Sequence, residues 1–519
     1  MANRSRTGLV AGVALTALSV LPSVLSTQPA VQPATRPAPQ RTTTAAATTT
    51  AATTATTAAA GQLRIFFGNI HAHTKYSDGT GTPAEAFAQA RDQGRLDFLA
   101  VSEHNHNKAE QGIEPNTPPE EPRKDGIMIA TQPNLYNSSD PASLASAART
   151  FTSDDHFVAI FGQEFSTISS GNHINVFEVA NVIDVPNGAF ATLYDQWLPQ
   201  HQDSLNEPPL IQLNHPDFRA DMSESTSQSQ RFNDYGLDDY NRNFNDLIAH
   251  SEKYVSLIEI VSGPALTNET DVEVTSRLRH ERDYWFYLNQ GFHVAPTANQ
   301  DNHFRTWGTI TRARTAVLAA RLTKPDVLRA LKARRVYATE DQNLQIRFRV
   351  NGQEMGSIIR SNNAQDLSIQ VDISDPDEPD AEYRVELYRD DIGGDMIEDA
   401  ADVATLEGNN SVTFNNQRYE SGRVFFFIKV SQVGSDGEEN FAWTAPIWIE
   451  PGESVPPVNP AQPTASPSPV AARFVFSRNS EVYHFAECLD AARIRPENRV
   501  ESDVEPEDRR LHTGCPRLR

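Results

Sequence analysis

Short apolar runs alternate with amphipathic segments from residue 63 to residue 340 of this chain. Runs typical of strands lie at residues 64–70, 97–102, 157–163, 173–179, 209–214, 256–261 and 293–297. Segments with helical periodicity lie at residues 83–92, 140–150, 244–254, 274–289 and 325–335. This alternation of strands and helices predicts an α/β domain, built as a parallel-stranded barrel or as an open sheet.

The apolar spacing changes to a period near two beyond residue 341. Alternating segments lie at residues 344–350, 367–371, 383–388, 411–415, 423–430 and 442–449. Turn sequences such as Asn351-Gly352 separate them. The pattern predicts a small antiparallel β-sandwich over residues 341–451.

Three further segments lack the apolar residues needed for a large core. Residues 28–62 consist mainly of Thr, Ala, Pro and Gln, which predicts a disordered linker. Residues 452–472 are rich in Pro and Ser and are interpreted as a second linker. Residues 473–519 are predicted to form a small C-terminal module.

The first residues have the features of an export signal. Arg4 and Arg6 precede an apolar run at residues 9–21, and small residues follow up to residue 27. This order predicts a signal peptide over residues 1–27. We therefore expect a secreted or periplasmic protein with no stable membrane insertion after signal removal. An uncleaved N-terminal anchor is the alternative.

Composition narrows the functional classes. The chain has 519 residues, which predicts more than one folded unit. Its formal charge is −23, from 68 acidic and 45 basic residues. This balance argues against a generally basic surface for nucleic acid, while a local basic pocket remains compatible with it.

Nine residues of metal-ligand type lie mostly at or just after the ends of the predicted strands. They are His71, His73, Asp78, His104, Glu164, His173, His215, Asp301 and His303. Imidazole and carboxylate groups bind zinc, manganese and iron. In a (β/α) barrel the active site forms at the carboxyl ends of the strands. The pattern therefore predicts a metal centre at that end.

The motifs that carry these residues resemble one known family. They are HAHTKYSDG at 71–79, FLAVSEHN at 98–105, GQEFS at 162–166, GNHINVF at 171–177, LNHP at 213–216 and NQDNH at 299–303. In order and spacing they are similar to the polymerase and histidinol phosphatase (PHP) domain family of metal-dependent phosphoesterases. The resemblance implies a distorted (β/α)7 barrel over residues 63–340.

The same resemblance implies the cofactors and the ligand sets. It implies two or three divalent ions (Mn, Zn or Fe) at a trinuclear site. The implied sets are His71, His73, Glu164 and Asp301 for the first ion, Glu164, His173 and His215 for the second, and Asp78, His104 and His303 for the third. Glu103 stands where many members have Asp, and we interpret it as an auxiliary carboxylate that orients a ligand.

The implied reaction is hydrolysis of a phosphate ester by a hydroxide that bridges two ions. Asp301 is the carboxylate expected to accept the proton that the water loses or to steer the resulting hydroxide. His106 is a candidate proton donor, with an ordinary loop histidine as the alternative. Arg305 and Arg314 are candidate phosphate-binding residues because arginine binds phosphate oxygens in a fork.

The expected substrate is a small-molecule phosphate ester or nucleotide. Three alternatives stay open at this point. The first is an extracellular nuclease, which the low count of basic residues disfavours. The second is a metallohydrolase for carboxylic or carbamate esters, and the third is a non-catalytic surface binding protein.

The chain has two cysteines, Cys488 and Cys515, which excludes a disulfide scaffold. A disulfide between them is one interpretation for an exported chain. A zinc site with His484 is the other.

Overall fold

The structure is a computed structural model of the chain. It describes residues 63–511 apart from 106–135, 166–172, 186–188, 217–236, 266–277, 397–398, 434–438, 453–473, 486–497 and some shorter gaps. The predicted signal peptide and first linker lie outside the described residues. So do His106, Cys488 and Cys515.

The seven strands predicted in the first region are all present, with boundaries that differ by a few residues. The strands are β1 Arg64–Asn69, β2 Phe98–Asn105, β3 Val158–Phe165, β4 His173–Phe177, β5 Leu210–Asn214, β6 Val255–Ser262, β7 Leu278–Arg279, β8 Ala295–Ala298, β9 Arg314–Ala319 and β10 Val336–Thr339. The helices are α1 Pro83–Asp92, α2 Leu144–Phe151, α3 Phe190–Thr192, α4 Phe244–Ser251, α5 Glu281–Asn289 and α6 Lys324–Lys332. Helix α3 continues as a π-helical turn at Leu193–Trp197 and a 3-10 turn at Leu198–Gln200.

Helix α1 begins where its sequence predicts. Thr82 is the N-cap, and its hydroxyl accepts from the backbone N–H of Glu85. The Glu85 carboxylate accepts in return from the Thr82 backbone, which completes a capping box. Helix α5 begins later than predicted, because Leu278 and Arg279 form β7 and pair with β6. The backbone groups of these two residues are therefore paired with β6 and do not form the hydrogen bonds of a longer helix.

The strands of the first region form a mixed sheet, not the parallel one that strand–helix alternation predicts. β1, β2 and β3 are parallel, as are β5, β6 and β8. Strand β4 is antiparallel to both β3 and β5. Only residues 166–172 separate β3 from β4, and a parallel crossover needs a dozen or more. The carboxyl ends of β3 and β5 and the amino end of β4 therefore share one edge.

The described residues of the second region form ten strands. They are β11 Gln345–Val350, β12 Gln353–Glu354, β13 Ile358–Arg360, β14 Gln365–Ser374, β15 Glu382–Asp391, β16 Asp402–Glu407, β17 Asn410–Tyr419, β18 Val424–Val433, β19 Glu439–Thr444 and β20 Ile447–Glu450. Strands β11, β12, β14 and β17 form a separate antiparallel sheet. The other six strands continue the large sheet, because β19 pairs with β10.

The apolar core also crosses from the first region to the second. One buried cluster contains Ile160 and Val317 of the first region together with Ile346 and Val430 of the second. The chain's tail has its own small sheet of β21 Phe474–Ser477, β22 Val482–Phe485, β23 Arg499–Ser502 and β24 Arg510–Leu511. Within the described ranges, the helices are too short or too polar to cross a membrane.

Candidate metal centre

The nine candidate ligands meet at the edge where the parallel strands end. His71 and His73 follow β1, and His104 and Glu164 lie near the ends of β2 and β3. In the parallel register His104 is directly opposite Glu164. His173 begins β4, whose antiparallel direction places it at the same edge. His215 follows β5, and Asp301 and His303 follow β8.

His71 and His73 are held by an extended backbone. Ala72 pairs with Asn302, and the His73 N–H donates to the Asn302 carbonyl at 2.9 Å. Residues two apart on an extended chain point the same way. Ala72 therefore packs into an apolar cluster while both imidazoles face the other side. Their Nε2 atoms lie 3.2 Å apart.

Asp78 is placed by a tight turn that Glu103 supports. The N–H groups of Ser77 and Gly79 both donate to the Thr74 carbonyl. A Cβ on Gly79 would lie 2.8 Å from the His73 backbone, so the turn requires glycine. The buried Glu103 carboxylate accepts from the Thr74 N–H at 3.1 Å and from the Thr74 and Ser77 hydroxyls. Glu103 therefore supports the turn that carries Asp78, and its orienting role toward a ligand stays a prediction.

Glu164 is the common neighbour of the site. Its carboxylate lies 2.8–3.3 Å from imidazole nitrogens of five histidines, namely His71, His73, His104, His173 and His215. Asn214 donates to the same carboxylate at 2.9 Å. Glu164 therefore lies at the centre of the cluster of candidate ligands.

Asp78 and Asp301 complete the set. The two oxygens of Asp78 lie 3.2 Å from His303 Nε2 and 3.3 Å from His104 Nε2. Asp301 Oδ1 lies 3.2 Å from His71 Nε2 and 3.0 Å from His73 Nε2. His303 Nδ1 donates to the Asp301 carbonyl at 2.7 Å, which leaves its Nε2 as the nitrogen that faces the site.

Two of these residues have strained backbones. The φ angle is +27° at His215 and +46° at Asp301. Left-handed φ values are uncommon for residues other than glycine, and strain of this kind is concentrated at functional sites. The surrounding structure therefore holds these two residues in an unfavourable backbone conformation that directs their side chains into the site.

Distances divide the candidate ligands into overlapping groups whose donor atoms lie within 4.8 Å of one another. We call His73, Asp78, His104 and His303 the Asp78 group, and His71, His215 and Asp301 the His71 group. The remaining groups are His71 with His73 and Glu164, and His104 with Glu164 and His173. All nine predicted ligands are included. Relative to the sets that the family resemblance implies, His73 also joins Asp78, and His215 also joins Asp301.

The protonation behaviour of the donors suits cations. Burial alone would raise the pKa of Glu164, but His71, His104 and His173 hold it well below the usual range. The pKa of Asp78 is likewise lowered by His104 and His303 against the effect of burial. Burial and the neighbouring His104 and His303 lower the pKa of His73 to about 3. Nearby carboxylates raise the pKa of four other ligand histidines against the effect of burial, namely His71, His104, His215 and His303. The ionised carboxylates and the neutral His73 are the part of the site that already matches a donor set for divalent metal ions.

The buried carboxylates of the site need cations close to them, either protonated imidazoles or metal ions. The carboxylates of Asp78, Glu164 and Asp301 converge where no candidate ligand has a side chain more than 17% exposed. Uncompensated charges at such burial are costly. His73 Nδ1 is buried without a hydrogen-bond partner in the part of the chain that the structure describes. The residues present therefore fit a cluster of divalent ions.

Glu259 is a site residue that the sequence interpretation missed. It lies in β6, is fully buried, and places Oε1 3.1 Å from His71 Nδ1. Its Oε2 accepts from the His215 backbone N–H at 2.7 Å. A lone carboxylate in the apolar run Leu257–Val261 was the available signal, because a buried charge requires a partner.

The predicted phosphate-binding arginines have other partners. Arg305 is 42% exposed and pairs with Glu85 at 3.3 Å. The buried Arg314 donates to the carbonyls of Gly308, Thr311 and Ala313. Arg312 and Arg314 line a cavity of about 830 Å³ whose wall contains none of the nine candidate ligands. Phosphate binding by Arg305 or Arg314 stays a prediction.

Comparisons with known proteins add little. No protein-family model matches the sequence, and no curated protein matches it. Among solved structures, the chain is similar to a two-domain protein from Bacteroides vulgatus ATCC 8482, whose crystal structure at 2.20 Å contains a predicted PHP-like metal-dependent phosphoesterase. The identity is 15%, the match covers 70% of this chain and 90% of that chain, and the TM-score is 0.35. At this level the likeness does not establish a family, so function has to be argued from the site.

Proposed function

We propose that this protein is a metal-dependent hydrolase of phosphate esters with a PHP-type distorted barrel and a site for two or three divalent ions. The observation that carries the proposal is the convergence of six imidazoles on three carboxylates, with Glu164 in contact with five of them. Structural histidines and acids have no reason to share one buried edge of a sheet.

Bound divalent ions would lower the pKa of a coordinated water and neutralise phosphate oxygens as charge develops. The chain's own part is to hold that geometry. Asp301 Oδ1 lies within 3.2 Å of the Nε2 atoms of both His71 and His73. It is therefore the carboxylate best placed to accept a proton from a nucleophile above these two imidazoles.

The more accessible side of the site indicates where a substrate approaches. The side chains of His71, His73 and Glu164 are fully buried. Those of Asp78, His104, His173, His215 and Asp301 are 13–17% exposed. A phosphoryl group that arrives from this side meets these five side chains before the fully buried Glu164.

Hydrolysis of carboxylic or carbamate esters is the second candidate. The specific observation in its favour is that Arg305 pairs with Glu85 while Arg314 is occupied by backbone carbonyls. A carbonyl substrate needs no arginine clamp, since a metal ion polarises the carbonyl oxygen directly.

An activity panel tests the proposal. Protein freed of metal and then loaded with Mn²⁺ or Zn²⁺ is assayed on a phosphomonoester, a phosphodiester, single-stranded DNA and a carboxylic ester. We expect phosphate-ester hydrolysis that disappears in Asp301→Asn and persists in Asp97→Asn. Asp97 is a matched control because its half-buried carboxylate accepts from the Phe67 N–H, and because it lies just before β2, whose opposite end carries His104.

The other outcomes are distinct. Activity on the carboxylic ester alone selects the second candidate, and activity on DNA selects an extracellular nuclease. Metal content far below one equivalent per chain after loading would refute a metal centre and favour a surface binding protein. We further propose export through residues 1–27, which cell fractionation and N-terminal sequencing of the mature protein would test.

A further inference from the structure

Glu259 is a buried carboxylate that the proposed reaction does not use. It lies in β6 with Leu257, Ile258, Ile260 and Val261, all of which are fully buried. An ionised side chain in such a run is costly unless both of its oxygens are paired. Its partners are therefore informative about why it is there.

Each oxygen of Glu259 is engaged by a different candidate ligand. Oε1 lies 3.1 Å from His71 Nδ1, and Oε2 accepts from the His215 backbone N–H at 2.7 Å. Within the described residues, Glu259 belongs to none of the groups of donor atoms that lie within 4.8 Å of one another. One carboxylate thus connects a residue that follows β1 with a residue that follows β5.

The first contact determines which nitrogen of His71 faces the site. With Nδ1–H donating to Glu259, the Nε2 lone pair points at Glu164 Oε1 and Asp301 Oδ1, both 3.2 Å away. In metal sites this kind of contact fixes the tautomer and orientation of the ligand imidazole. The reverse tautomer would place a proton where an ion has to bind.

The second contact holds a strained backbone. His215 has a φ of +27°, which an unsupported histidine would rarely adopt. The Glu259 carboxylate accepts from the N–H of this same residue. Its imidazole Nε2 then lies 3.3 Å from Glu164 Oε1.

We propose that Glu259 is a positioning residue that prepares His71 and His215 for one ion of the centre. Two of the three members of the His71 group depend on it. The Asp78 group has separate supports, which are the Glu103 contacts of the turn and the His303–Asp301 backbone bond. This inference rests on the proposed metal centre. It adds that the His71 group and the Asp78 group are supported by different residues.

The test is a Mn²⁺ titration of the full chain against a chelating indicator, with bound metal counted by elemental analysis. In Glu259→Gln, the side-chain NH₂ group faces either His71 Nδ1–H or the His215 N–H. Two hydrogen-bond donors then face each other, and that hydrogen bond is lost. We expect the Mn²⁺ affinity of the site formed by the His71 group to fall roughly 10–100-fold, while the site formed by the Asp78 group keeps its affinity. These two sites are the two classes of binding. Glu178→Gln is the matched control, because Glu178 is buried and accepts from the Phe161 backbone N–H.

Asp78→Asn identifies the class that is lost. If Glu259 and Asp78 serve different ions, the double variant loses both classes, and the two losses add. Wild-type titration curves for a folded Glu259→Gln overturn the proposal. So do equal losses in both classes.

Glu259→Asp covers the case in which the glutamine variant does not fold. It keeps the charge but has a shorter reach, so the same class should weaken. A folded aspartate variant with wild-type binding overturns the proposal. If the wild-type chain itself binds no metal, the proposed function fails instead, and the two failures are thereby distinguished.

Discussion

His73 Nε2 lies 3.0 Å from Asp301 Oδ1, although the two residues are 228 positions apart. The histidine follows strand β1, and the aspartate lies in the loop after β8. The backbone bond from His73 to Asn302 holds these two segments together. Ligands from the beginning and the end of the first region are thus joined directly.

The first prediction concerns Asp301→Asn. Asparagine is isosteric and tolerates the left-handed φ of this position, so the backbone should be unaffected. The amide cannot accept the proton, and we expect the activity to fall by roughly 10²–10⁴-fold. Steady-state kinetics measure the loss, and circular dichroism checks that the fold is retained. An activity within twofold of wild type would contradict the role of Asp301.

The second prediction concerns metal binding and stability. Divalent ions bind the folded site and not the unfolded chain, so free Mn²⁺ at 100 times its Kd should add about 2.7 kcal/mol to the free energy of unfolding. Thermal or denaturant unfolding with and without metal measures this. Glu164→Gln removes the shared carboxylate, and its unfolding curve should respond much less to the ion. An equal response in both proteins would place the binding elsewhere.

The third prediction concerns Glu103. Burial raises its pKa to about 7, and its oxygens hold the turn that carries Asp78. Glu103→Gln leaves one of the Thr74 and Ser77 donors unpaired, which should cost about 1–3 kcal/mol of stability. The Asp78 group should lose roughly 10–100-fold in metal affinity. Urea unfolding and Mn²⁺ titration measure the two effects, and unchanged affinity would show that Glu103 serves the fold alone.

The fourth prediction concerns the pH dependence of stability and His293. Its ring lies 2.6 Å from Glu252 Oε1 and 2.9 Å from Glu450 Oε1, so it connects the first region to β20. Burial lowers the pKa of His293, but the bonds to Glu252 and Glu450 outweigh burial and raise it. His293, Arg423 and Arg360 all contact Glu450, and His293 and Arg423 lower the pKa of that carboxyl to about 2.

The raised pKa of His293 determines how its contribution to the free energy of unfolding changes with pH. The protonated ring stabilises the fold fully below its unfolded pKa of about 6.5, and this stabilisation is lost as pH rises through the folded value. His293→Gln should cost about 1.5–3 kcal/mol at pH 6 and progressively less at higher pH. Urea unfolding of both proteins across pH 5.5–9 tests this, because the difference cancels other titrating groups. A cost that does not change with pH would show that the ring is neutral.

Much of the site could be predicted from the sequence, for a local reason. Most of the ligands stand beside an apolar run, and parallel strands bring their carboxyl ends to one edge. His71, His104 and Glu164 could therefore be selected by position and residue type alone. Glu259 could not, because it lies within a strand and its partners follow other strands.

The strand directions and the sheet boundaries were harder to predict. Alternating strands and helices suggested parallel pairing, but the short 166–172 connection makes β4 antiparallel. A change in periodicity near residue 341 predicted a separate β-sandwich domain, and it gave no sign of the pairing between Tyr337 of β10 and Thr444 of β19. Hydrogen bonds between strands that are distant in sequence do not affect the local spacing of apolar residues.

The sequence by itself determined the donor types, their order and the strands that carry them, because apolar periodicity and residue chemistry are local properties. Only the tertiary structure decided which donors share a group, since that depends on register and loop conformation. It also placed Glu259 between His71 and His215 and imposed left-handed backbones at His215 and Asp301. These features require packing energy from the whole sheet, which no short segment contains.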